Sequence, residues 1–347
     1  MSAVVVAPAQ APESGLSGQP GSPDEEWAGE EAGGAEEAEV RQMQVGTAQH
    51  AARLDKALAE LVPEFSRSYL QQLLGQGLVR INGQPATKPS LKVKAGDALA
   101  LEMRPTQQSQ AFRPEAMDID VVYEDEHLLV VNKPAGLVVH PAPGNWSGTL
   151  LNGLLARDAK ALLVPRAGIV HRLDKDTSGL MVVARERSTM DALVAMIAAR
   201  SVHRQYLALA HKPWAGPARR TVQEPIGRDP RNRLRMAVVD LASHAGKPAR
   251  TDFRLLEGVG AGCWVECTLH TGRTHQIRVH MASIGHPLVA DVLYGGTPVG
   301  ALQRQALHAF HLAFTHPVTG QPLELHAPLP PDMGAALSFW GLRYNGA

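Results

Sequence analysis

One short segment of the chain, GIVHRLDKDTSGLMVVAR at residues 168–185, concentrates groups that could do chemistry. Between two apolar runs it places two carboxylates and three basic groups, which are His171, Arg172, Asp174, Lys175 and Asp176. Neighbouring cations keep a carboxylate ionised, and the Thr and Ser hydroxyls that follow can hydrogen-bond the loop backbone. Apolar strands on both sides would hold the loop rigidly at a sheet edge, which suits a precise site. The segment therefore predicts a functional carboxylate, with Asp174 as the candidate.

An ionised carboxylate at Asp174 has three possible roles: metal ligand, base, or nucleophile at an anomeric carbon. The sequence offers no convincing further set of acidic ligands for a metal, because Asp176 alone is too little. Glycoside hydrolysis needs a second carboxylic acid to protonate the leaving group, whereas a uracil base can leave as a resonance-stabilised anion. Cleavage of a uridine C1′–N1 bond is therefore chemically reasonable with one carboxylate, although composition alone does not select it.

The charge of the chain is divided unevenly. Residues 1–40 hold nine acidic side chains and no Lys or Arg, so the rest, with 34 basic and 25 acidic side chains, carries +9. A basic body predicts a polyanionic partner, most often nucleic acid. Two cysteines do not make a disulfide framework and fit a reducing cytoplasm. No apolar run reaches the roughly 18 residues of a membrane span, and the start lacks the basic region of a secretory signal. We expect a cytoplasmic protein without a membrane partner.

The 347 residues suffice for two domains and a tail. Residues 1–46 are rich in Ala, Gly, Pro, Ser and Glu and are predicted to be a disordered acidic tail. Residues 47–105 predict two helices and a small sheet, with a hairpin at Asn82-Gly83. A polar, proline-containing linker is predicted over 106–117. Residues 118–347 mix strands and helices without a regular βαβ repeat, which predicts an α+β domain whose mixed, largely antiparallel sheet has flanking helices.

The first module resembles a known RNA-binding domain. Its segment RLDKALAELVPEFSRSYLQQLLGQGLVRINGQPATKPSLKVKAGD, residues 53–97, is similar to an S4 domain, with the Arg-Leu-Asp start, the Ser-Arg-Ser at the second helix and the Val-Arg-Ile-Asn-Gly hairpin in order. The resemblance implies that this basic α/β module binds RNA. The candidate RNA contacts are its basic side chains Arg53, Arg67, Arg80 and Lys92.

The second domain resembles the RluA family of pseudouridine synthases. Its segment HRLDKDTSGLMVVAR is similar to the family signature, and further blocks follow in order, which are DEHLLVVNKPAGLVVHPAPGN, HRQYLAL, LHTGRTHQIRVHMASIGHPLVADVLYGG and RQALHAFHLAFTHPVTGQPLELHAPLP. The two resemblances together cover residues 49–332. They imply a pseudouridine synthase fold preceded by an S4 domain, and isomerisation of uridine to pseudouridine in RNA.

The resemblance also implies roles for individual residues. It makes Asp174 the catalytic nucleophile, Tyr206 the side chain that stacks on the target base, and Arg273 the partner that keeps the Asp174 carboxylate charged. It implies substrate binding by the remaining candidates, Arg172, Leu307, His171 and Thr177. Leu307 would close the apolar side of the base pocket, and Arg172 would fill the gap left when the target nucleotide flips out. Two routes remain compatible with these residues, attack on the sugar and passage through a glycal.

The family branch with this domain order modifies large-subunit ribosomal RNA (23S) in a stem-loop at the subunit interface, helix 69. We therefore expect a monomer that acts on ribosomal RNA or on a pre-50S particle, with no cofactor and no metal. Two alternatives stay open. One keeps the chemistry and makes transfer RNA the substrate. The other is a non-catalytic RNA-binding protein of the S4 type.

Overall fold

The protein divides into two compact units, Met1–Arg104 and Pro105–Ala347. The computed structural model describes residues 39–65, 67–103, 111–142, 144–232 and 235–344. The predicted acidic tail therefore lies outside the described residues as far as residue 38, and the predicted linker does so as far as residue 110.

The described part of the N-terminal unit contains one sheet and two α-helices. Its elements in chain order are β1 (Glu39–Gln44), α1 (Leu54–Leu61), α2 (Arg67–Gly75), β2 (Val79–Ile81), β3 (Gln84–Pro85) and β4 (Ala98–Met103). The strands lie in the order β1-β4-β2-β3 and every neighbouring pair is antiparallel. Leu54 and Leu58, one turn apart on α1, are fully buried with Leu70 and Leu74 of α2 in a common core.

Residues 39–44 belong to this sheet and Val45 belongs to the core, so the prediction of residues 39–45 as tail is wrong. The β1 strand pairs with β4 along its whole length, from Glu39 opposite Met103 to Gln44 opposite Ala98. Val45 is buried in the core just after the strand. A segment with few apolar side chains is ordered here because its backbone completes the hydrogen bonding of the β4 edge. Composition does not reveal such pairing.

The hairpin predicted at Asn82-Gly83 is confirmed. These two residues join β2 to β3 with positive φ values of 49° and 81°. Positive φ at both central positions is the geometry of a type I′ turn, which Asn-Gly accommodates at low cost.

The C-terminal unit is larger. Its elements in chain order are β5 (Val121–Glu124), β6 (Leu128–Lys133), α3 (Leu150–Arg157), β7 (Ser178–Ala184), α4 (Arg187–Ala198), β8 (His203–His211), β9 (Arg219–Val222), β10 (Ile226–Arg228), β11 (Met236–Val238), β12 (Gly246–Lys247), β13 (Thr251–Gly258), β14 (Gly262–Leu269), α5 (Gln276–Ser283), β15 (Leu307–Thr315), β16 (Pro322–His326) and α6 (Pro331–Phe339). No α-helix within the described residues is long and apolar enough to cross a bilayer.

Nine strands of the described C-terminal unit form one mixed sheet. Their order is β5-β6-β7-β15-β8-β14-β13-β9, and β16 pairs with β15. The β7 and β15 strands are parallel, and the other pairs are antiparallel. A smaller sheet contains β10, β11 and β12. The predicted α+β class, with a largely antiparallel sheet and flanking helices, is confirmed.

The β7 strand is the centre of this unit. All of its residues are buried, because the sheet is covered on both faces: Met181 and Val183 join one core cluster, and Leu180 and Val182 join another. Two covered faces explain the continuous apolar run in the sequence. Gly179, with a φ of 117°, lies where a Cβ atom would stand 2.2 Å from the Ala309 carbonyl oxygen of β15. The glycine therefore lets β15 approach the start of β7.

Residues 111–117, predicted as linker, pack on the C-terminal unit instead. Ala111 is buried. The Asn152 side-chain amide of α3 donates hydrogen bonds to the carbonyls of Ala111 and Arg113, and the Glu115 amide donates to the Asn152 carbonyl. Polar composition led to the linker prediction, whereas backbone groups and the Glu115 side chain of this segment make hydrogen bonds to the rest of the unit.

Candidate functional site

The loop that carries Asp174 lies between Ile169 and the first residue of β7, and its backbone is firmly held. The Asp174 carbonyl accepts a hydrogen bond from the Thr177 amide at 3.1 Å, which closes a turn. The Lys175 carbonyl accepts two hydrogen bonds, one from the Gly136 amide and one from Lys133 Nζ, both at 2.9 Å. The Asn-Lys-Pro turn after β6 thus fixes the middle of the loop.

Lys133 is almost completely buried, with 1% of its surface exposed. Its Nζ also donates to the carbonyls of Pro134 at 2.8 Å and Leu137 at 2.9 Å. Burial lowers the pKa of Lys133 to about 7, against the opposing effect of the Asp176 and Asp174 charges. This lysine therefore binds two loops together through backbone carbonyls.

Arg304 holds the other end of the loop. Its Nη1 donates to the Asp176 carbonyl at 3.1 Å and to the Leu307 carbonyl at 3.3 Å, at the start of β15. Two hydrogen bonds from Nε and Nη2 to the Asp332 carboxylate fix its guanidinium at 2.7 and 2.9 Å. Asp174 is consequently presented by a loop whose carbonyls at residues 174, 175 and 176 all accept hydrogen bonds.

The Asp174 carboxylate is paired with Arg278 of α5. Arg278 Nη1 donates to Asp174 Oδ2 at 3.1 Å. The rest of the guanidinium is bound by Asp291, which accepts from Nε at 2.7 Å and from Nη2 at 2.8 Å. The exposed fraction of the side chain is 1% for Asp291, 8% for Arg278 and 18% for Asp174. A buried and fixed cation thus holds a carboxylate that faces the solvent.

The prediction that Arg273 pairs with Asp174 is wrong. Arg273 precedes α5, and its Nε donates instead to the Pro248 carbonyl at 3.1 Å. The ion pair comes from Arg278, five residues later and inside the helix, where the buried Asp291 fixes its direction. Arg273 still lines the same cavity as Asp174.

His275 and Tyr294 complete the surroundings of the ion pair. His275 has a left-handed φ of 56°, which is uncommon for a residue other than glycine. Its Nδ1 lies 2.9 Å from the Tyr294 hydroxyl, and its Nε2 lies 4.0 Å from Asp174 Oδ1. Burial lowers the pKa of His275, although the Asp174 charge acts to raise it. The Arg278 guanidinium lies 5.1 Å from the centre of the Tyr294 ring.

Asp174 opens into a cavity of about 530 Å³. The cavity is lined by Asp174 and by every other site residue predicted for this unit, which are His171, Arg172, Thr177, Tyr206, Arg273 and Leu307. A volume in this range suits a small ligand or a nucleotide. The wall mixes apolar and charged groups, as a pocket for a neutral base attached to a charged strand requires.

Tyr206 and Leu307 form part of the apolar wall. Tyr206 on β8 lies opposite Ala309 of β15, so the two strands bring Tyr206 near Leu307. Burial raises the pKa of Tyr206 to about 12, and its phenol is therefore protonated at neutral pH. No group in the described part of the chain hydrogen-bonds the Tyr206 hydroxyl.

The other predicted substrate contacts differ in whether their side chains already have hydrogen-bond partners within the protein. His171 accepts a hydrogen bond from the Val182 amide at its Nε2, and burial lowers its pKa to about 3. The Thr177 hydroxyl is buried and accepts from Gln305 at 3.2 Å. Arg172 is exposed. His171 and Thr177 are thus occupied with holding the loop, whereas Arg172 is available to a ligand.

In the N-terminal unit, the predicted RNA contacts share an organising carboxylate. Asp55, whose side chain is 1% exposed, binds Arg53 Nε at 3.0 Å and Arg67 Nη2 at 2.7 Å. Lys92 pairs with Arg53 through an isolated backbone bridge. Arg80 lies on β2 and contacts the Gly83 carbonyl at 3.5 Å. Arg53, Arg67 and Lys92 therefore lie near one another.

One cluster outside the cavity has the side chains to hold a metal ion. The ligand atoms of His311, Glu324 and His326, on the paired strands β15 and β16, all lie within 4.8 Å of one another. None of the three lines the cavity with Asp174. The cluster has no part in the chemistry considered below.

Sequence reasoning missed Arg278, Lys133 and Arg304, which position Asp174. A signal existed for Arg278, because it lies between Ile277 and Val279 in a helix that is mostly buried. An arginine inside a buried helix requires a carboxylate partner. Lys133 and Arg304 act on backbone carbonyls, which leave no trace in the sequence.

Comparison with known proteins identifies both units. The family model described as "RNA pseudouridylate synthase" matches residues 127–283, and the S4 domain model matches residues 52–99. The first match includes Asp174, Tyr206 and Arg278. The second includes Arg53, Arg67 and Lys92.

Curated relatives match most of the chain. "Ribosomal large subunit pseudouridine synthase D" of Neisseria meningitidis serogroup B is 48% identical over 299 residues, which are 82% of this chain and 78% of the relative. The protein of the same name from Xanthomonas campestris pv. campestris is 46% identical over 321 residues, or 89% of this chain and 94% of the relative. That from Escherichia coli O6:H1 is 44% identical, covering 81% of this chain and 88% of the relative.

Solved structures share the fold. Human RNA Pseudouridylate Synthase Domain Containing 1 matches with a TM-score of 0.50 and 27% identity, over 69% of this chain and 91% of that chain. Human RNA Pseudouridylate Synthase Domain Containing 4 matches with a TM-score of 0.52 and 23% identity, over 65% of this chain and 95% of that chain, and supports the fold alone.

Proposed function

The chain belongs to the RluA family of pseudouridine synthases and carries an S4 domain, and from this we propose that it isomerises uridines of large-subunit ribosomal RNA with Asp174 as the nucleophile. The observation that carries the proposal is the Asp174 carboxylate at the wall of the cavity, held by a buried Arg278 that Asp291 fixes from behind. Membership of the family makes the chain an enzyme, so the alternative of a non-catalytic S4 protein is set aside.

The choice of ribosomal RNA rests on the relatives. The curated relatives at 44–48% identity are named for the large ribosomal subunit, and this favours ribosomal over transfer RNA as the substrate. We further propose that the target is the helix 69 stem-loop, in free RNA or in a pre-50S particle. The enzyme would act as a monomer in the cytoplasm.

The chemistry follows from the charges around Asp174. In the direct route, a carboxylate oxygen bonds to C1′ of the target uridine while the C1′–N1 bond breaks, and its electron pair leaves on the uracil. The uracil turns in the cavity, C5 bonds to C1′, and the Asp174–C1′ bond breaks. The C5 proton is then lost to solvent and N1 takes up a proton from solvent, which restores the aromatic ring, so that atoms and charge balance. The ion pair with Arg278 favours the carboxylate form that this attack needs.

Tyr206 and Leu307 would keep the freed uracil in place. The protonated phenol of Tyr206 offers an aromatic face and a hydrogen-bond donor, and Leu307 offers an apolar contact. Retention matters because a uracil that escapes leaves an abasic site instead of product. Arg172 is exposed at the cavity and would occupy the space that the flipped nucleotide vacates.

Mapping of pseudouridines in large-subunit RNA tests the proposal. Ribosomal RNA from a strain that lacks the enzyme is incubated with purified protein, and the new pseudouridines are mapped. We expect new sites in helix 69 and none in transfer RNA added to the same reaction. Modification of the transfer RNA alone would overturn the substrate assignment. Comparison of free RNA with pre-50S particles identifies the preferred form.

A further inference from the structure

Arg204 is a second buried cation in the cavity wall. It lies on β8 two residues before Tyr206, so both side chains leave the same face of the strand. Both line the cavity with Asp174. Only 6% of Arg204 is exposed, which is unusual for arginine unless a partner compensates its charge.

No such partner exists in the described part of the chain. No carboxylate lies within ion-pair distance of Arg204, and its Nε is buried without a hydrogen-bond acceptor. The terminal nitrogens are not enclosed in this way and remain open to the cavity. Arg278, in the same wall, has instead two carboxylates.

A buried cation without a partner costs folding free energy. An anion that enters the cavity and approaches the terminal nitrogens of Arg204 would offset this free-energy cost. Its neighbour His171 does not supply a charge, because burial and the Arg204 charge lower the pKa of His171 to about 3. The cavity is therefore complementary to a ligand that carries negative charge at the Arg204 end.

We propose that Arg204 binds a phosphodiester oxygen of the RNA strand that carries the target uridine into the cavity. The inference rests on the proposed function. Uracil and ribose are neutral, so the phosphate is the group of the substrate that can compensate the arginine charge. A guanidinium also matches two phosphate oxygens through parallel hydrogen bonds. Arg204 would thereby position the sugar of the target nucleotide relative to Asp174.

The test combines two variants with a chemically changed RNA. Arg204→Gln removes the charge, Arg204→Lys keeps it, and a methylphosphonate next to the target uridine removes the charge of one phosphate. We expect Arg204→Gln to weaken binding of normal RNA at least about tenfold, the loss of a hydrogen bond to a charged group. The slope of log affinity against log salt should fall by about 0.7. Arg204→Lys should restore part of the affinity.

The changed RNA distinguishes phosphate binding from a structural role. The neutral linkage should weaken binding to the wild type as strongly as Arg204→Gln does, and should weaken binding to Arg204→Gln no further. Arg187→Gln is the matched control, because Arg187 is an exposed arginine of α4 paired with Asp191. It should bind both RNAs like the wild type.

Two results would overturn the inference. One is that the neutral linkage lowers RNA affinity equally in the wild type and in Arg204→Gln. The other, which needs no variant to fold, is a wild type that is indifferent to a neutral linkage at either phosphate flanking the uridine. A wild type that binds but forms no pseudouridine in ribosomal RNA would instead refute the proposed function, and the binding comparison would still report on Arg204.

Discussion

The two units use a buried charge in opposite ways. In the N-terminal unit, the buried carboxylate of Asp55 holds Arg53 and Arg67, whose side chains are 55% and 59% exposed. In the C-terminal unit, the buried guanidinium of Arg278 holds the carboxylate of Asp174, which is the more exposed partner. The first arrangement presents cations to the solvent, and the second presents an anion to a cavity.

The difference matches what each unit would contact. Exposed guanidinium groups that a buried carboxylate holds in place suit phosphates along an RNA backbone, where contacts are numerous and individually weak. An ionised carboxylate in a cavity suits one reacting carbon, where the position of a single oxygen decides the rate. The buried partner sets the direction of the exposed group in both units.

The largest effect in testing this comparison is expected from the removal of Arg278, the cation that holds Asp174. We expect Arg278→Gln to lower the single-turnover rate at saturating RNA about a hundredfold, equal to about 2.7 kcal/mol of activation free energy. The cause is that Asp174 loses the cation that orients its carboxylate. Tritium release from RNA with 5-tritiated uridine measures the rate.

A second variant separates activity from stability in this experiment. Arg278→Gln leaves Asp291 buried without its partner, which costs about 3–5 kcal/mol of unfolding free energy. The double variant Arg278→Gln with Asp291→Asn removes that unpaired charge and should recover much of the stability. Its rate should stay low. Recovery of the rate together with the stability would mean that Arg278 is structural only.

Removal of Asp55 should lower stability and leave the turnover rate unchanged. We expect Asp55→Asn to lower the unfolding free energy of the N-terminal unit by about 1–3 kcal/mol, since charge-assisted hydrogen bonds to two arginines are weakened. Hydrogen exchange of the N-terminal amides in the full chain measures the loss. The turnover rate at saturating RNA should not change, and a large decrease would break the comparison.

The pH dependence of the N-terminal unit sharpens this point. Hydrogen bonds from Arg53 and Arg67 hold the pKa of Asp55 well below its usual range. A carboxyl with a lowered pKa stabilises the folded state above its unfolded pKa of about 3.9, and the contribution is lost as the pH falls below that value. Between pH 5 and pH 3, the wild-type N-terminal unit should therefore lose stability more steeply than Asp55→Asn. If stability falls equally steeply with pH in the wild type and in Asp55→Asn, Arg53 and Arg67 do not lower the pKa of Asp55.

A smaller effect is expected from each exposed arginine. Arg53→Gln and Arg67→Gln should each lower the slope of log affinity against log salt by about 0.7–0.9, the loss of one phosphate contact. Filter binding across a salt series measures the slope. Arg187→Gln, in α4, serves as the control for loss of a positive charge. An unchanged slope in both N-terminal variants would remove them from the RNA interface.

The smallest effect is expected from Arg273. Because its guanidinium donates to the Pro248 carbonyl and not to Asp174, Arg273→Ala should lower the rate by less than about threefold, or 0.65 kcal/mol. The same tritium assay compares it with Arg278→Gln. A larger decrease for Arg273→Ala than for Arg278→Gln would restore Arg273 as the partner of Asp174.

The sequence predicts the secondary-structure elements and the candidate site residues better than it predicts which side chains contact each other. The apolar runs around Asp174, the hairpin at Asn82-Gly83 and the α+β class could all be predicted, because each depends on local pattern. The cavity also gathers every candidate residue of its unit. These residues come from a loop, from β8 and from β15, and the resemblance to a family connected them where periodicity could not.

The errors occurred where tertiary contacts decide. Arg273 and Arg278 are five residues apart in one segment, and only the direction of α5 and the position of Asp291 select between them. Residues 39–45 look like part of a polar tail, and the open edge of β4 orders them. Arg204 looks like an ordinary strand residue, and its lack of a partner is visible only in the folded chain.

The most direct test of the account is the rate of Asp174→Asn. This change removes the charge of the nucleophile and adds almost no volume. Tritium release under single-turnover conditions should fall more than about a thousandfold, or 4.1 kcal/mol, while RNA affinity stays within about twofold of the wild type. Asp191→Asn, which removes an exposed carboxylate of α4, controls for loss of charge and should keep its activity. A rate for Asp174→Asn within about tenfold of the wild type, only 1.4 kcal/mol, would contradict Asp174 as the nucleophile.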